Sequence, residues 1–184
     1  RNAIAEMKVE EIHDYPKAMV SAQRVFDRNC AVCHGYEAQG QAALFPDLTD
    51  KDWQWGGSVE QIEQSIRDGR TGNMAPWGDI LGAQGVDDVT AYVMSLSGNA
   101  DTGHPGKLQY DQLCVACHGT TGEGNPILGA PDLTDNTWLY GGSLKAVKTT
   151  IADGRNGVMP AFGERLDATQ LKLLVALLTV ENPG

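Results

Sequence analysis

Positive charge is scarce in this chain. Over 184 residues, 14 Lys and Arg stand against 24 Asp and Glu, a formal net charge of -10. Nucleic-acid binding needs clustered cations to neutralise phosphates, so that class of partner is excluded. The acidic excess is concentrated in residues 1–98, which makes that half the expected docking face for a positively charged partner. Long hydrophobic runs are missing as well, and nothing approaches the roughly 20 apolar residues of a membrane span. No signal peptide is visible and the first residue is Arg1, so a processed or trimmed product is expected. Cysteine is limited to four residues, all inside two seven-residue stretches, NCAVCHG at 29–35 and LCVACHG at 113–119.

Those stretches belong to a longer internal repeat. Cys30, Cys33 and His34 return 84 residues later as Cys114, Cys117 and His118. After one inserted residue the offset becomes 85: PDLTD at 46–50 returns at 131–135, WQWGGS at 53–58 as WLYGGS at 138–143, and IRDGRTGNM at 66–74 as IADGRNGVM at 151–159. A repeat of this length indicates duplicated domains rather than a solenoid. The boundaries expected are an extension over 1–19, a first domain over 20–98, a linker over 99–105 and a second domain over 106–184. Domains this small bury little surface, and a metal, disulfide or cofactor is expected to support each.

The periodicity is helical. Each unit opens on a short helix, with Phe26 and Tyr110 four residues before the first cysteine and facing a core. Each closes on an amphipathic one, Val86, Val89, Val93 and Leu96 in the first and Leu171, Leu174, Val175 and Leu178 in the second. Asp167 and Gln170 form a capping-box pattern. Shorter helices are expected at 58–68 and 143–153, opened by Ser58 or Ser143 and closed by Gly69 or Gly154. Residues 35–57 and 119–142 lack any period, and loops that long in a compact domain indicate a function. The fold class expected is all-α.

Cys-x-x-Cys-His narrows the chemistry. A thioredoxin-like pair calls for a βαβ context that is missing, and has no use for the histidine. Structural zinc needs four ligands where each copy has three, and an iron-sulfur cluster would need all four cysteines pooled, leaving both histidines idle. Covalent c-type haem attachment explains every residue: two thioether bonds fasten the porphyrin edge and the adjacent imidazole reaches the iron. Two such sites imply two haem c groups, on Cys30, Cys33 and His34 and on Cys114, Cys117 and His118.

The repeat also selects the opposite ligand. Met7, Met19 and Met94 have no repeat mates, whereas Met74 and Met159 recur behind matching glycine-bearing loops. His/Met ligation closes both axial positions and raises the potential, so the chemistry is outer-sphere one-electron transfer. Around each haem, Pro46 and Pro131 are candidates to accept the imidazole proton, Arg70 and Arg155 to pair with propionates, and Trp53 and Trp138 to hydrogen-bond the same groups. His13 and His104 are expected to be exposed bystanders.

The strings FPDLTDKDWQWGG, IRDGRTGNMAPWGDILGAQGVDDVTAYVMSLSG, GAPDLTDNTWLYGG and GRNGVMPAFG resemble the periplasmic dihaem portion of subunit III of the bacterial cbb-type haem-copper oxidases, over nearly all of 20–180. The resemblance implies two tandem small class I cytochrome c domains, each wrapped around one covalent haem. It implies His34 with Met74 on one iron and His118 with Met159 on the other. It further implies electron transfer from a soluble donor cytochrome toward a monohaem cytochrome c subunit and the catalytic subunit, on the periplasmic side of the inner membrane, held by an anchor outside this chain. The chain departs from the family where MAPWG puts Ala75 between Met74 and Pro76, whereas MPAFG in the second unit matches. A free soluble dihaem shuttle is the alternative function, and a haem peroxidase would require one iron to lose its methionine.

Overall fold

The computed structural model describes residues 2–98 and 103–181. Residues 99–102 of the expected linker lie outside the described residues. In chain order the elements are α1 (Asn2–Glu6), α2 (Val9–Ile12), α3 (Pro16–Asn29), α4 (Ala31–His34), α5 (Val59–Asp68), β1 (Arg70–Met74), α6 (Gly78–Ser95), α7 (Pro105–Leu113), α8 (Val115–His118), α9 (Leu144–Asp153), β2 (Arg155–Met159) and α10 (Ala168–Glu181). The all-α expectation is corrected by β1 and β2, which pair as a two-stranded sheet. Both strands are five residues long and glycine-bearing, too short and too polar for an alternating pattern to stand out in the sequence.

The helix boundaries follow their caps. Ser58 opens α5 by accepting from the Gln61 amide at 3.2 Å, while the Gln61 side chain accepts from the Ser58 amide at 3.1 Å. This is a reciprocal capping box; Ser143 opens α9 with the forward bond alone, its hydroxyl accepting from the Ala146 amide at 3.2 Å. Asp167 and Gln170 exchange the corresponding pair at the start of α10, at 2.8 and 3.0 Å. Gly69 and Gly154, both at φ +70°, end α5 and α9. No described helix is long and apolar enough to cross a membrane.

Packing divides the chain into two compact units that do not coincide with the two repeats. Unit 1 comprises residues 1–70 and 158–184, and unit 2 comprises 71–157. In unit 1, α10 from the end of the chain packs on α3 and α5 and is also touched by α1 and α2. Phe26, Ile62, Ile66, Phe162 and Leu174 meet in its core. The stretch expected as an appended extension over 1–19 therefore contributes to that core, with Ile12 fully buried in it. In unit 2, α6 packs on α7 and α9 around Val89, Tyr92, Tyr110, Val147 and Ile151. Each unit thus has the opening helix of one repeat crossed by the closing helix of the other repeat. The chain leaves unit 1 within β1 and returns to it within β2.

A small residue sits at each helix crossing. A Cβ on Gly106 of α7 would run into the backbone carbonyl of Asp88 on α6. Its repeat mate on α3, Ala22, is fully buried in the core that includes α10.

Candidate haem-attachment sites

Each Cys-x-x-Cys-His forms a single helical turn directly after the opening helix. The amides of Cys33 and His34 bond the Cys30 carbonyl at 3.1 and 2.9 Å, and those of Cys117 and His118 bond Cys114 identically. Three and four residues are one turn, so both thiols and the imidazole of each copy share a face. No disulfide joins the four cysteines. Burial, with the neighbouring Cys33 or Cys117 adding to it, pushes Cys30 and Cys114 up to about 11. Among the described residues no group of three or more His, Cys, Asp or Glu is arranged to hold a metal ion.

The imidazoles are buried, each 8 % exposed. His34 Nδ1 lies 3.1 Å from the Pro46 carbonyl and His118 Nδ1 lies 3.0 Å from that of Pro131. A carbonyl can only accept, so Nδ1 carries the proton and donates, and Nε2 keeps its lone pair for a metal. Burial holds both histidines below their ordinary value, against a smaller opposing effect of the carbonyl bond. The prolines are held by the PDLTD turn: Asp47 Oδ1 accepts from the Thr49 amide at 2.7 Å and the Thr49 hydroxyl at 2.6 Å, with the same distances at Asp132 and Thr134. Side-chain bonds of this kind explain why Asp and Thr stand two apart in both copies.

Arg70 and Arg155 are held in place rather than free in solvent. Arg70 donates from Nε to Ser65 Oγ at 2.8 Å and lies 4.9 Å above the Trp55 ring; Arg155 donates to Thr150 Oγ1 at 2.9 Å and lies 4.4 Å above Tyr140. Neither forms an ion pair among the described residues. Sequence reasoning overlooked Trp55, Tyr140, Ser65 and Thr150, although an aromatic at 55 and 140 and a hydroxyl at 65 and 150 recur at the repeat offset. Trp53 and Trp138 pack against the two cores. Gly57 and Gly142 make room for their rings, since a Cβ at either would come within 2.7 Å of the indole Cδ1.

The methionines fall differently from the pairing implied by the resemblance. Met159 packs in the cluster of unit 1 that includes Cys30 and Trp53, and Met74 packs in that of unit 2 with Cys114 and Trp138. The two spare histidines are not bystanders either. His13 Nε2 lies 3.0 Å from the Ala176 carbonyl of α10, and His104 caps α7 by accepting from the Gly106 amide at 3.1 Å.

Two thiols and an imidazole on one helical face, with the imidazole oriented by a carbonyl, are the arrangement that attachment of a c-type haem requires. The chain belongs to the family described as cytochrome c oxidase, cbb3-type, subunit III, whose pattern matches residues 17–93 and again 101–178. Among curated relatives, the cbb3-type cytochrome c oxidase subunit FixP of Azorhizobium caulinodans is 40 % identical over 98 % of this chain and 67 % of its own length. The subunit CcoP of Rubrivivax gelatinosus is 40 % identical over 88 % of this chain and 54 % of its own length. The CcoP of an Azospirillum species is 40 % identical over 99 % and 69 %. The chain thus spans roughly half to two thirds of the relatives it matches.

Proposed function

We propose that each unit binds one haem c covalently, through Cys30 and Cys33 in one and Cys114 and Cys117 in the other. The protein then carries single electrons within a cbb3-type terminal oxidase. The observation that carries this reading is the repeated helical turn with its carbonyl-oriented imidazole. His34 and His118 would each ligate a haem iron through Nε2, with Met74 and Met159 as the further ligands. The haem supplies a reversible one-electron couple. The chain's own groups set how that couple behaves. The Pro46 and Pro131 carbonyls keep each imidazole in one tautomer and orientation, and methionine opposite it raises the potential. Arg70 and Arg155, held over their aromatic rings and without carboxylate partners among the described residues, pair with propionates; Trp53 and Trp138 hydrogen-bond the same groups.

Electrons pass from a soluble donor cytochrome, through the two haems, to a monohaem cytochrome c subunit and the catalytic subunit. The place is the periplasmic side of the bacterial inner membrane, with an anchoring segment outside these 184 residues. The relatives' printed names, which make them subunits of cbb3-type cytochrome c oxidases, support the placement of this electron transfer within such an oxidase.

Haem-stained native electrophoresis of the full-length protein from its own cells tests it. A multisubunit membrane band that reduces oxygen, with two haems per copy of this chain, is expected. A single small soluble band would instead make the protein a free dihaem shuttle.

A further inference from the structure

The closing helix and the methionine loop of each repeat are seated in the unit of the other repeat's cysteines. Three sets of contacts within each unit agree on this. First, the amides of Phe162 and Gly163, just past Met159, donate to the carbonyls of Ile66 and Arg67 at 3.0 and 2.9 Å. The repeat mate of the first of these bonds runs from the Trp77 amide, just past Met74, to the Ile151 carbonyl at 3.0 Å. Second, Gly69 abuts the backbone of Met159 to Ala161, where a Cβ would come within 2.5 Å of the Met159 carbonyl; Gly154 abuts Met74 to Pro76 in the same way. Both glycines are at φ +70°, and neither position has room for a side chain. Third, the Met159 side chain packs on the core of unit 1, the same core against which Cys30 and Trp53 pack, and that of Met74 packs on the core of unit 2, as do Cys114 and Trp138.

We infer that the axial ligands are exchanged between the repeats: the haem on Cys30 and Cys33 is held by His34 and Met159, and the haem on Cys114 and Cys117 by His118 and Met74. This rests on the haem reading above and deepens it. The arginines do not take part in the exchange. Arg70 stays with Ser65 and Trp55 in unit 1 and Arg155 with Thr150 and Tyr140 in unit 2, so the crossover falls inside the strands, between each arginine and the methionine four residues on. Unit 2 is then a cytochrome whose chain begins at its own methionine loop, and it is inserted into a unit 1 that is completed only by the last residues of the chain.

A physical reason favours the exchange. The seats at Ile66 to Gly69 and Ile151 to Gly154 are near copies, so local contacts are almost the same for either partner, as in domain swapping. Chain connection then decides. Only residues 96–104 separate α6 from α7, so packing α6 on its immediate successor closes a short loop at small entropic cost. With α7 taken by α6, the face of α3 is left for α10.

The test is nuclear Overhauser spectroscopy on the ferrous full-length holoprotein, with methionine methyls labelled with carbon-13 and assigned through backbone connectivity. A ligating methyl is shifted by the haem ring current and lies close to the meso protons of its own haem. That haem is identified by its thioether-bridge protons. The expected result connects the Met159 methyl to the haem bridged to Cys30 and Cys33, and the Met74 methyl to that bridged to Cys114 and Cys117. Same-repeat connectivities would overturn the exchange and leave His/Met ligation standing. Absence of any ring-current-shifted methionine methyl would overturn the ligation reading, and the exchange with it. A second readout is Met159→Leu in the oxidised protein, expected to remove about half of the methionine-to-iron charge-transfer band while shifting the bridge protons of Cys30 and Cys33. Shifts at the Cys114 and Cys117 bridges instead would overturn the inference.

Discussion

Tyr110 shows how one atom distinguishes two nearly identical positions. It is fully buried in unit 2, and its hydroxyl donates to the Gly119 carbonyl at 2.9 Å; the matched residue in unit 1 is Phe26, equally enclosed and without a hydroxyl. Tyr110→Phe is expected to cost about 1 kcal/mol in chemical denaturation, because the Gly119 carbonyl loses its partner while the ring still fits. Burial, followed by the negative field of neighbouring groups, raises the phenol well above its ordinary value. The unfolded chain ionises this residue first, at about pH 10. Its effect on stability is therefore flat below that pH and increasingly adverse above it. Tyr110→Phe should weaken the alkaline fall of the denaturation midpoint above about pH 10, and an unchanged alkaline limb would refute the assignment. At this scale the sequence was highly legible. Cys, His, Pro and Arg candidates stand where their repeat spacing put them, since each acts within a short local segment. Trp55 and Tyr140 went unnoticed because an aromatic before two glycines reads equally well as core.

Among elements, the crossing of α6 and α7 depends on Gly106. Gly106→Ala places a methyl against the Asp88 carbonyl, and backbone cannot rotate aside as a flexible side chain would. A loss of about 1 to 3 kcal/mol is expected in thermal or urea unfolding, despite alanine's better helix propensity. Stability equal to or above that of the parent would mean the two helices separate readily. Asp167→Ala, which removes a cap of α10, is expected to cost about 1 kcal/mol, and the loss should appear in unit 1, because α10 packs there. Hydrogen exchange on the amides of α3 and α5 reads this directly. The helices and their caps were visible in the sequence, being matters of periodicity and of side chains three residues apart. The strands were not, and neither was the structural use of His13 and His104, whose partners give no pattern in the chain.

For the whole molecule, the exchange of closing helices has a consequence that tandem domains would not share. A chain ending at residue 98 would contain α3, α4, α5 and α6 but lack α10, leaving Ala22, Phe26, Ile62 and Ile66 without the helix that covers them. With α7 absent as well, α6 is free to take the vacated seat on α3, so residues 1–98 alone are expected to melt through a same-repeat packing at a lower temperature than the full chain by circular dichroism. Net charge also acts at this scale. With a formal charge of -10, reduction by a basic donor cytochrome should slow as ionic strength rises, since salt screens the field that steers encounter. A stopped-flow rate insensitive to salt would remove electrostatic docking from the account.

The duplication, the helix caps and the family to which the chain belongs were legible in the sequence alone, because each follows from residues within about one or two turns of one another or from register between copies, and the same register singles out Met74 and Met159 as the candidate ligands. Which copy completes which unit was decided only by the tertiary structure. The seats for the methionine loops are so alike in residue type that no local preference separates same-repeat from exchanged packing. The choice rests on the short connection between α6 and α7, on the helix face of α3 left for α10, and on long-range burial that no segment encodes by itself.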